Sequence, residues 1–514
     1  MHVARTVSMR LHATPALGMR ARLAAAALLA LPFAAQAAPN CADVLAKLGA
    51  KLADATCVAS TDLTTANAAT TPANNSIATL PAGAFTPITD RGVIAPSATK
   101  KTPINKAVPG LQINARFADD ATGQGRFLLR LPADWNGRLV VAGASGTRSE
   151  FNGDFAWSDY VLQQGFAYAS QNKGVLNLRI TSLSSATPPN ALACRLNPLS
   201  QVWVNFYDND DGQPFTRWRD YMVKAAQLAQ TGVKAAYGKG PRYTYAVGTS
   251  NGGYQVRRAM ESAPELFDGG VDWEGTFVDA HAPNLLTDLP AAVLNFGDYA
   301  TSSHDPNSTA AKNIVAAGYP PDIVLSPTST LWTNYWASFW EVTQCQWQKR
   351  LDPGYDTYGA GPANYNYVAR LSASDVGAQL DAFATTGRIR RPLITVAGTM
   401  DALLPIDHHA RAYARAVAAA GGERRDRDGD GDRDRDGRAA YRLYEIQNGN
   451  HIETYADTFN QLELIEPHAQ RAFDLLVGYV EQGQALPPDQ CVPRRGSIST
   501  PAAQPGHCAR LYEP

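Results

Sequence analysis

A serine in a glycine-rich turn is the residue of this sequence whose setting most clearly suggests chemistry. Residues 248–252 (GTSNG) fit the pattern G-x-S-x-G, in which the serine hydroxyl is exposed at a sharp turn between a strand and a helix. The preceding residues 243–247 are β-rich and end in apolar side chains, and 252–260 can form a helix. The segment therefore predicts a nucleophilic Ser250, with an ordinary glycine-serine loop as the alternative.

A serine becomes a good nucleophile beside a base that is itself oriented by an acid. On a strand–turn–helix scaffold these residues follow in the order Ser, Asp or Glu, His. Asp401 follows an apolar strand pattern over 393–397, and His451 follows another over 441–446. Both lie past the carboxyl end of a predicted strand, where catalytic groups of open α/β sheets collect. The sequence thus predicts acyl transfer by Ser250, with His451 as base and Asp401 as acid.

Other residues of the right chemistry are less well placed than His451 and Asp401. Asp407 is an alternative acid. Two rival histidines begin a predicted helix, one heads the last helix and one lies in the tail. The alternative bases are His408, His409, His468 and His507.

Acyl transfer also needs N–H donors for the oxyanion of the intermediate. One donor is the residue after the nucleophile, here Asn251, and the other comes from an earlier loop that follows a strand. Residues 141–146 (VAGASG) form a glycine-rich turn directly after a strand pattern. Ala144 is the predicted second donor, and an ordinary turn is the alternative.

Strand patterns alternate with helical patterns around these residues, which predicts a mostly parallel sheet flanked by helices. With the motif at Ser250, this is the pattern of an α/β-hydrolase fold carrying a large lid inserted between nucleophile and acid. Residues 58–80 are rich in Ala, Thr and Asn and are predicted to be a linker or loose surface segment. The predicted organisation is a signal peptide (1–37), an N-terminal segment (38–125), a hydrolase core (126–275 and 386–485), a lid insertion (276–385) and a C-terminal tail (486–514).

The inserted region 276–385 carries tryptophans at a spacing of four, which would lie on one helix face. They either pack onto the core or form the face of a lid that borders the substrate pocket. The tryptophans are Trp332, Trp336 and Trp340, with Trp347 further along.

The N-terminus and the cysteines both predict export. Basic residues precede an apolar run over 23–33, and residues 35–37 (AQA) fit a cleavage site, although an uncleaved anchor is the alternative. All six cysteines lie beyond that point, which favours disulfides in a secreted or periplasmic protein. Proximity along the chain predicts three pairs, namely Cys41–Cys57, Cys491–Cys508 and, by remainder, Cys194–Cys345.

Composition argues against several classes of partner. The chain is 45% hydrophobic and 18% charged, with a net charge of −1, so nothing suggests a nucleic acid or an anionic membrane. Residues 423–438 form an Asp/Arg run that opens like an EF-hand loop, but Gly437 replaces the glutamate that such a loop needs. We expect a solvated insertion there rather than a calcium site, and no metal or cofactor. The sequence leaves the oligomeric state open.

The chain resembles the tannase and feruloyl esterase group of secreted α/β-hydrolases. The resemblance is carried by four segments, which are 131–138 (LPADWNGR), 248–255 (GTSNGGYQ), 398–405 (GTMDALLP) and 449–451 (GNH). It implies an esterase with a large lid, acting on aromatic-acid esters of the feruloyl or galloyl type. That group typically joins a cysteine before the serine to one after the histidine, and here Thr249 and Ile452 stand at those positions.

A second resemblance points to another ester substrate. Residues 250–253 (SNGG) and 401–405 (DALLP) are similar to 3-hydroxybutyrate oligomer hydrolases. That resemblance implies cleavage of short aliphatic polyester oligomers. The sequence favours aromatic-acid esters as the substrate class, with 3-hydroxybutyrate or similar polyester oligomers as the alternative. A peptidase on the same scaffold and a non-catalytic, hydrolase-like binding protein are further alternatives.

Overall fold

The computed structural model describes residues 39–71, 102–146, 149–176, 179–205, 215–355, 365–423 and 440–514. All of them belong to one compact unit, Ala38–Pro514. The predicted signal peptide, residues 72–80 of the predicted linker and the Asp/Arg run from residue 424 onward lie outside the described residues.

The described residues form sixteen strands and twelve α-helices. The strands are β1 (Leu52–Ser60), β2 (Gly110–Phe117), β3 (Arg126–Pro132), β4 (Arg138–Gly143), β5 (Ala167–Gln171), β6 (Arg179–Ser182), β7 (Cys194–Arg195), β8 (Trp203–Asn205), β9 (Tyr243–Thr249), β10 (Gly269–Trp273), β11 (Val324–Ser326), β12 (Ser329–Thr330), β13 (Leu393–Gly398), β14 (Tyr441–Ile446), β15 (Gln490–Val492) and β16 (Gln504–Pro505). The helices are α1 (Cys41–Leu48), α2 (Asp159–Leu162), α3 (Thr216–Tyr237), α4 (Asn251–Ser262), α5 (Leu285–Thr301), α6 (Thr309–Ala316), α7 (Leu331–Ser338), α8 (Trp340–Leu351), α9 (Tyr367–Ala373), α10 (Val376–Asp381), α11 (Ala410–Glu423) and α12 (Glu466–Gln482).

One eleven-stranded sheet organises the molecule, in the order β1-β2-β3-β5-β4-β9-β10-β13-β14-β15-β16. All pairings from β5 to β15 are parallel. Antiparallel strands extend the sheet at both edges. Parallel neighbours need crossover connections, which the helices provide. This is the predicted α/β-hydrolase fold, and strand β9, which leads to Ser250, lies near its centre.

Central strands bury side chains on both faces, as parallel strands do. Val141 of β4 belongs to an apolar cluster that includes side chains of α3 and α4. Its neighbour Val140 belongs to a cluster on the other face that includes Phe473 and Leu476 of α12. Each fully buried side chain of this kind contributes about 1.5–3 kcal/mol. The two faces hold the strand ends, and the loops that follow them, at fixed positions.

Ordered structure begins earlier in the chain than the sequence suggested. Residues 58–60 lie in β1, and Leu63 is fully buried just beyond it. Oδ1 of Asp62 accepts the N–H groups of Thr64 and Val108, both at 3.0 Å. The prediction of a loose segment is therefore wrong for 58–71. Side-chain hydrogen bonds stabilise residues 61–71. Because these bonds leave no periodic pattern of apolar residues, the sequence did not indicate an ordered segment.

The three predicted disulfides are confirmed. Cys41 pairs with Cys57, linking α1 to β1, and Cys491 pairs with Cys508 in the C-terminal tail. Cys194 pairs with Cys345, tying the small sheet of β6, β7 and β8 to α8 in the inserted region. No helix in the described part of the chain has the length and apolar character needed to span a membrane.

Candidate active site

Ser250 occupies a strained turn between β9 and α4. Its backbone angles are φ 58° and ψ −123°, a combination that residues with a Cβ rarely adopt. Its N–H donates to the carbonyl oxygen of Trp273 at the end of β10 (2.8 Å). A Cβ on Gly248 would lie 2.3 Å from the carbonyl oxygen of Gly252. Glycine at both positions lets strand and helix approach, and the chain forms the strand–turn–helix that the motif predicts.

Ser250, His451 and Asp401 form one chain of hydrogen bonds. Oγ of Ser250 lies 2.9 Å from Nε2 of His451, and Nδ1 of His451 lies 2.7 Å from Oδ2 of Asp401. Oδ1 of Asp401 accepts the N–H groups of Leu403 (2.8 Å) and Leu404 (2.7 Å). An ionised carboxylate can only accept. The imidazole therefore donates from Nδ1, which leaves Nε2 free to accept the serine proton.

Neighbouring strands bring the acid and the base together. Asp401 follows β13, and His451 follows β14, which pairs with β13 in parallel. The two loops are also bonded to each other, because the N–H of Asn448 donates to Oγ1 of Thr399 (2.9 Å). Asn448 has φ 64°, a left-handed conformation that asparagine tolerates better than most residues. The sheet edge thus places both predicted residues beside Ser250.

The environment of His451 favours its protonated form. Burial by itself would lower the pKa of the imidazole, but the charge of Asp401, the hydrogen bond to it and the nearby Glu274 together raise the pKa to about 9. The side chain is 4% exposed. A positive charge on His451 is therefore well stabilised, which is what a general base needs once it has taken a proton.

Glu274 is a residue of the site that the sequence analysis missed. It directly follows β10, and its Oε2 lies 3.4 Å from Nδ1 of His451. Its Oε1 accepts the N–H of Gly398 (3.0 Å). Burial raises the pKa of Glu274 well above its usual value, and the charge of Asp401 adds to that effect. Two carboxyl groups therefore face the same imidazole nitrogen, and only Asp401 is hydrogen-bonded to it.

The strand that carries Glu274 was not recognised because an ion pair interrupts its apolar pattern. Asp272 lies in the middle of β10 and is fully buried. Its Oδ2 accepts a hydrogen bond from Nε of Arg257 in α4 (2.5 Å), and both side chains are inaccessible to solvent. The usable signal in the sequence is a short strand pattern between the motif helix and the insertion, ending in an acid.

The two predicted oxyanion donors differ in their surroundings. Asn251 is the first residue of α4, and an N–H at that position has no acceptor within its helix. The N–H of Ala144 donates instead to Oε1 of Gln255, a buried side chain of α4 (2.9 Å). That bond occupies the predicted second donor and fixes the loop after β4 against α4. The N–H of Ala144 is therefore occupied, and the prediction of Ala144 as second oxyanion donor is contradicted by this hydrogen bond.

The alternative acid Asp407 and the alternative bases His408 and His409 pair with residues other than Ser250. Asp407 is half exposed and pairs with Arg411 (3.1 Å). Nδ1 of His408 lies 2.9 Å from Oδ1 of Asp288, and Nε2 of His409 lies 3.3 Å from Oδ2 of the same residue. These histidines link the loop after Asp401 to helix α5 of the inserted region.

The other two alternative bases, His468 and His507, are held by burial and by a hydrogen bond away from Ser250. His468 lies in the first turn of α12, where burial lowers its pKa to about 4. His507 hydrogen-bonds to the buried Glu445 of β14. Neither contacts the site, so His451 alone meets the requirement for a base.

The inserted region packs directly on the loops that carry the acid and the base. The hydroxyl of Tyr335 in α7 donates to Oδ1 of Asn450, the residue before His451 (2.9 Å). Nε1 of Trp340 donates to the carbonyl oxygen of Ala402, the residue after Asp401 (2.7 Å). These two bonds fix the position of α7 and α8 relative to the loops that carry Asp401 and His451.

The predicted tryptophan face is divided between two helices. Trp332 and Trp336 lie in α7, whereas Trp340 begins α8 after a break at Phe339. Trp332 and Trp340 are at most 1% exposed, as is Trp347. The prediction of a single helix face is wrong, and the surroundings of these rings favour the packing alternative. Trp336 is half-buried.

One group of side chains in the described part of the chain has the donor atoms for a metal ion. Donor atoms of Glu274, Asp401 and His451 lie within 4.8 Å of one another. Both ring nitrogens of His451 are already hydrogen-bonded, to Asp401 and to Ser250. An ion bound there would have to displace the bond from His451 to Asp401, and the arrangement fits a hydrogen-bonded triad better.

Fold and site together define a class of protein. The chain has an α/β-hydrolase fold in which a serine, a histidine and an aspartate are joined in hydrogen-bonded order at the carboxyl edge of the parallel strands.

Comparison with known families narrows this class. The family described as 3HB-oligomer hydrolase matches residues 347–510, which include Asp401 and His451. D-(-)-3-hydroxybutyrate oligomer hydrolases from Burkholderia thailandensis and Burkholderia ambifaria are each 29% identical over 138 residues. These matches cover 25% and 26% of this chain but only 17% of each relative, so most of the relatives' length is not matched. The resemblance to this family is confirmed.

Solved structures similar to the chain include a feruloyl esterase and a tannin acyl hydrolase. Feruloyl esterase B from Aspergillus oryzae has 14% identity and a TM-score of 0.41, covering 84% of this chain and 88% of that chain. Tannin acyl hydrolase from Aspergillus niger has 11% identity and a TM-score of 0.45, covering 87% of each. Both groups that the sequence resembles are thus found among its matches. At these identities the likeness does not bear on the substrate.

Proposed function

We propose that this chain is a serine carboxylic-ester hydrolase that uses Ser250, His451 and Asp401. The observation that carries the proposal is the hydrogen-bonded chain from Oγ of Ser250, through both ring nitrogens of His451, to Oδ2 of Asp401. Nucleophilic catalysis by serine needs this order of groups, because the hydroxyl is a weak nucleophile until an oriented base takes its proton.

The geometry supports a two-step acyl transfer. Oγ of Ser250 attacks the ester carbonyl carbon while Nε2 of His451 takes the hydroxyl proton, and Asp401 stabilises the imidazolium. The N–H of Asn251, at the positive end of α4, donates to the developing oxyanion. His451 then returns its proton to the leaving alcohol. A water molecule repeats these steps on the acyl-enzyme and releases the acid.

We assign the substrate to short oligomers of 3-hydroxyalkanoates, of which 3-hydroxybutyrate oligomers are the simplest. The support comes from the matched family and from the two Burkholderia relatives, whose names specify that oligomer. The packing of the inserted region agrees with an aliphatic substrate. Trp332 and Trp340 are buried among other rings and offer no open flat surface.

Aromatic-acid esters of the feruloyl or galloyl type form the second candidate class. The segments shared with the tannase and feruloyl esterase group favour it, and Trp336 is a half-buried ring on which an aryl group could stack. Thr249 and Ile452 count against it, because that group typically carries a cysteine pair at these positions.

We also propose that the protein works in an oxidising compartment, either secreted or periplasmic. Three disulfides join its described residues, and such bonds persist outside the reducing cytosol. The predicted signal peptide over 1–37 leads to the same location. Its partner there is a small-molecule or oligomeric ester.

A substrate panel tests the proposal. The disulfide-bonded protein is assayed with 3-hydroxybutyrate dimer and trimer, methyl ferulate, methyl gallate and p-nitrophenyl acetate. We expect the highest kcat/KM for the hydroxybutyrate oligomers, and loss of turnover on every ester in Ser250→Ala. Preference for ferulate or gallate would establish the second candidate class. A folded protein that cleaves none of these esters would contradict the proposal and favour a hydrolase-like binding protein.

A further inference from the structure

We propose that Glu274 is a second orienting carboxyl for His451, which holds the imidazole when Asp401 cannot. The inference rests on the serine mechanism proposed above. Glu274 acts through His451 and makes no contact with the reacting carbonyl, so it is a positioning residue.

Glu274 is held so that one of its oxygens faces the imidazole. Its N–H donates to the carbonyl oxygen of Val396 in β13 (2.8 Å), and its Oε1 accepts the N–H of Gly398 (3.0 Å). Its Oε2 lies 3.4 Å from Nδ1 of His451 and makes no hydrogen bond within the described residues. A buried carboxyl oxygen without a partner is costly. The position therefore suits an atom whose partner is the proton on Nδ1.

Glu274 and Ser250 both have a positive φ. The two residues follow the adjacent parallel strands β10 and β9, with φ 51° and φ 58°. A side chain at such a positive φ is strained, whereas glycine adopts it without strain. Both strained residues direct a polar atom at His451, Oγ toward Nε2 and Oε2 toward Nδ1. At both positions the strained backbone therefore places a polar side-chain atom next to a ring nitrogen of His451.

The charges around Glu274 explain how it could replace Asp401. The groups that face it are Asp401, His451, Glu453 and, from α7, Tyr335. Burial and the charge of Asp401 keep the pKa of Glu274 high, and His451 opposes them. Two carboxyls this close do not both ionise readily. Removing the charge of Asp401 would let Glu274 ionise and accept the Nδ1 proton in its place.

A double-mutant cycle tests this role. The variants are Asp401→Asn, Glu274→Gln and the pair together, each assayed for kcat/KM on p-nitrophenyl acetate over a range of pH. We expect Glu274→Gln to cost less than about tenfold alone and at least about tenfold more in the Asp401→Asn background. Equal costs in both backgrounds would overturn the proposal. The kcat/KM of Asp401→Asn should also rise with pH as Glu274 loses its proton, because only the ionised carboxylate accepts the Nδ1 proton.

A neighbouring buried carboxyl provides the matched control. Glu453 accepts the N–H groups of Ile465 and Glu466, so its known hydrogen bonds are to the backbone. Glu453→Gln should therefore cost the same in both backgrounds. Coupling of Glu453 to Asp401 as strong as that of Glu274 would show a general effect of buried charge and overturn the assignment.

A second measurement does not depend on activity. In the Ser250→Ala, Asp401→Asn background, titration of His451 by NMR should give a lower pKa when Glu274→Gln is added, because Glu274 is then the charged carboxyl that faces Nδ1 of the imidazole. An unchanged pKa would overturn the proposal. If Ser250→Ala itself retains turnover, the proposed function fails. If Ser250→Ala is inactive and the cycle shows no coupling, only the role of Glu274 fails.

Discussion

The carboxyl edge of the sheet and the inserted region 276–385 meet at His451, yet different kinds of contact hold them. At the sheet edge, short loops place single polar atoms, such as Oγ of Ser250 at 2.9 Å from Nε2. The described residues of the inserted region instead pack rings. The ring of Phe296 lies 4.9 Å from that of Trp336 and 5.9 Å from that of Trp340, measured between centroids.

The difference teaches which property each region controls. The edge depends on the positions of a few atoms, so conservative changes there should alter the rate and leave stability nearly unchanged. The inserted region depends on packed volume, so changes there should alter stability or the choice of ester. Tyr335 and Trp340 join the regions, through Asn450 and Ala402. Effects on both properties should therefore be concentrated at these two side chains.

Asp401→Asn should produce the largest separation of rate from stability. The amide cannot hold the imidazole in the tautomer that accepts the serine proton, so kcat should fall by about 10²–10⁴. Asp407→Asn is the matched control, because Asp407 is half exposed and pairs with Arg411. Steady-state kinetics with thermal unfolding of both variants checks this. A crippled Asp407→Asn beside an active Asp401→Asn would show that the acid is Asp407.

The pH–rate profile should show how far the carboxyl groups at the sheet edge raise the pKa of His451. The imidazole must be neutral to act as base, and its pKa is raised to about 9. We therefore expect kcat/KM to rise with pH toward about 9, falling tenfold per unit on the acid side. An acid limb at 6.5, the ordinary value for histidine, would contradict the charge distribution described.

Two tryptophans of the inserted region should separate packing from specificity. Trp340→Ala removes a fully buried ring and should lower the free energy of unfolding by about 3–5 kcal/mol. Trp336→Ala, at a half-buried ring, should cost less stability. If Trp336 borders the substrate, its loss should reduce kcat/KM for methyl ferulate more than for p-nitrophenyl acetate. Equal losses on both esters, with a lowered melting temperature, would show that Trp336 is core packing.

The smallest effect is expected from the Asp/Arg run. Replacing residues 424–437 with a short Gly-Ser linker should leave activity and melting temperature nearly unchanged, because the run has no apolar side chain to bury and loop closure depends weakly on length. Thermal unfolding with and without calcium is the measurement. A calcium-dependent rise in melting temperature that the replacement removes would establish a metal site in the run.

Sequence reasoning succeeded where one local pattern decides the structure. Strands β9 and β13 are buried on both faces and give mostly apolar runs that are visible without the fold. Strand β14 is recognisable from its Tyr, Leu and Ile residues. The motif at Ser250 and the loops after β13 and β14 then follow from topology. Proximity along the chain was enough for the disulfides because two of the three pairs close short loops.

It failed where a distant partner decides the structure. The buried Asp272 in β10 is explained by its partners Arg257 and Thr395, and without that strand Glu274 could not be placed. The N–H of Ala144 is occupied by Gln255, which lies far along the chain. The break at Phe339 divides the tryptophan series, and no helix-breaking residue marks it in the sequence. Each of these features depends on tertiary contacts rather than on local pattern.

Covalent labelling of the serine tests the central claim most directly. A fluorophosphonate probe reacts with a serine that an adjacent base activates, and a hydroxyl without such a base does not react. We expect one probe per chain, found by mass spectrometry on the peptide containing Ser250. Labelling should be absent in Ser250→Ala and strongly slowed in His451→Ala. A folded protein that takes up no probe, or takes it up at another residue, would contradict the account.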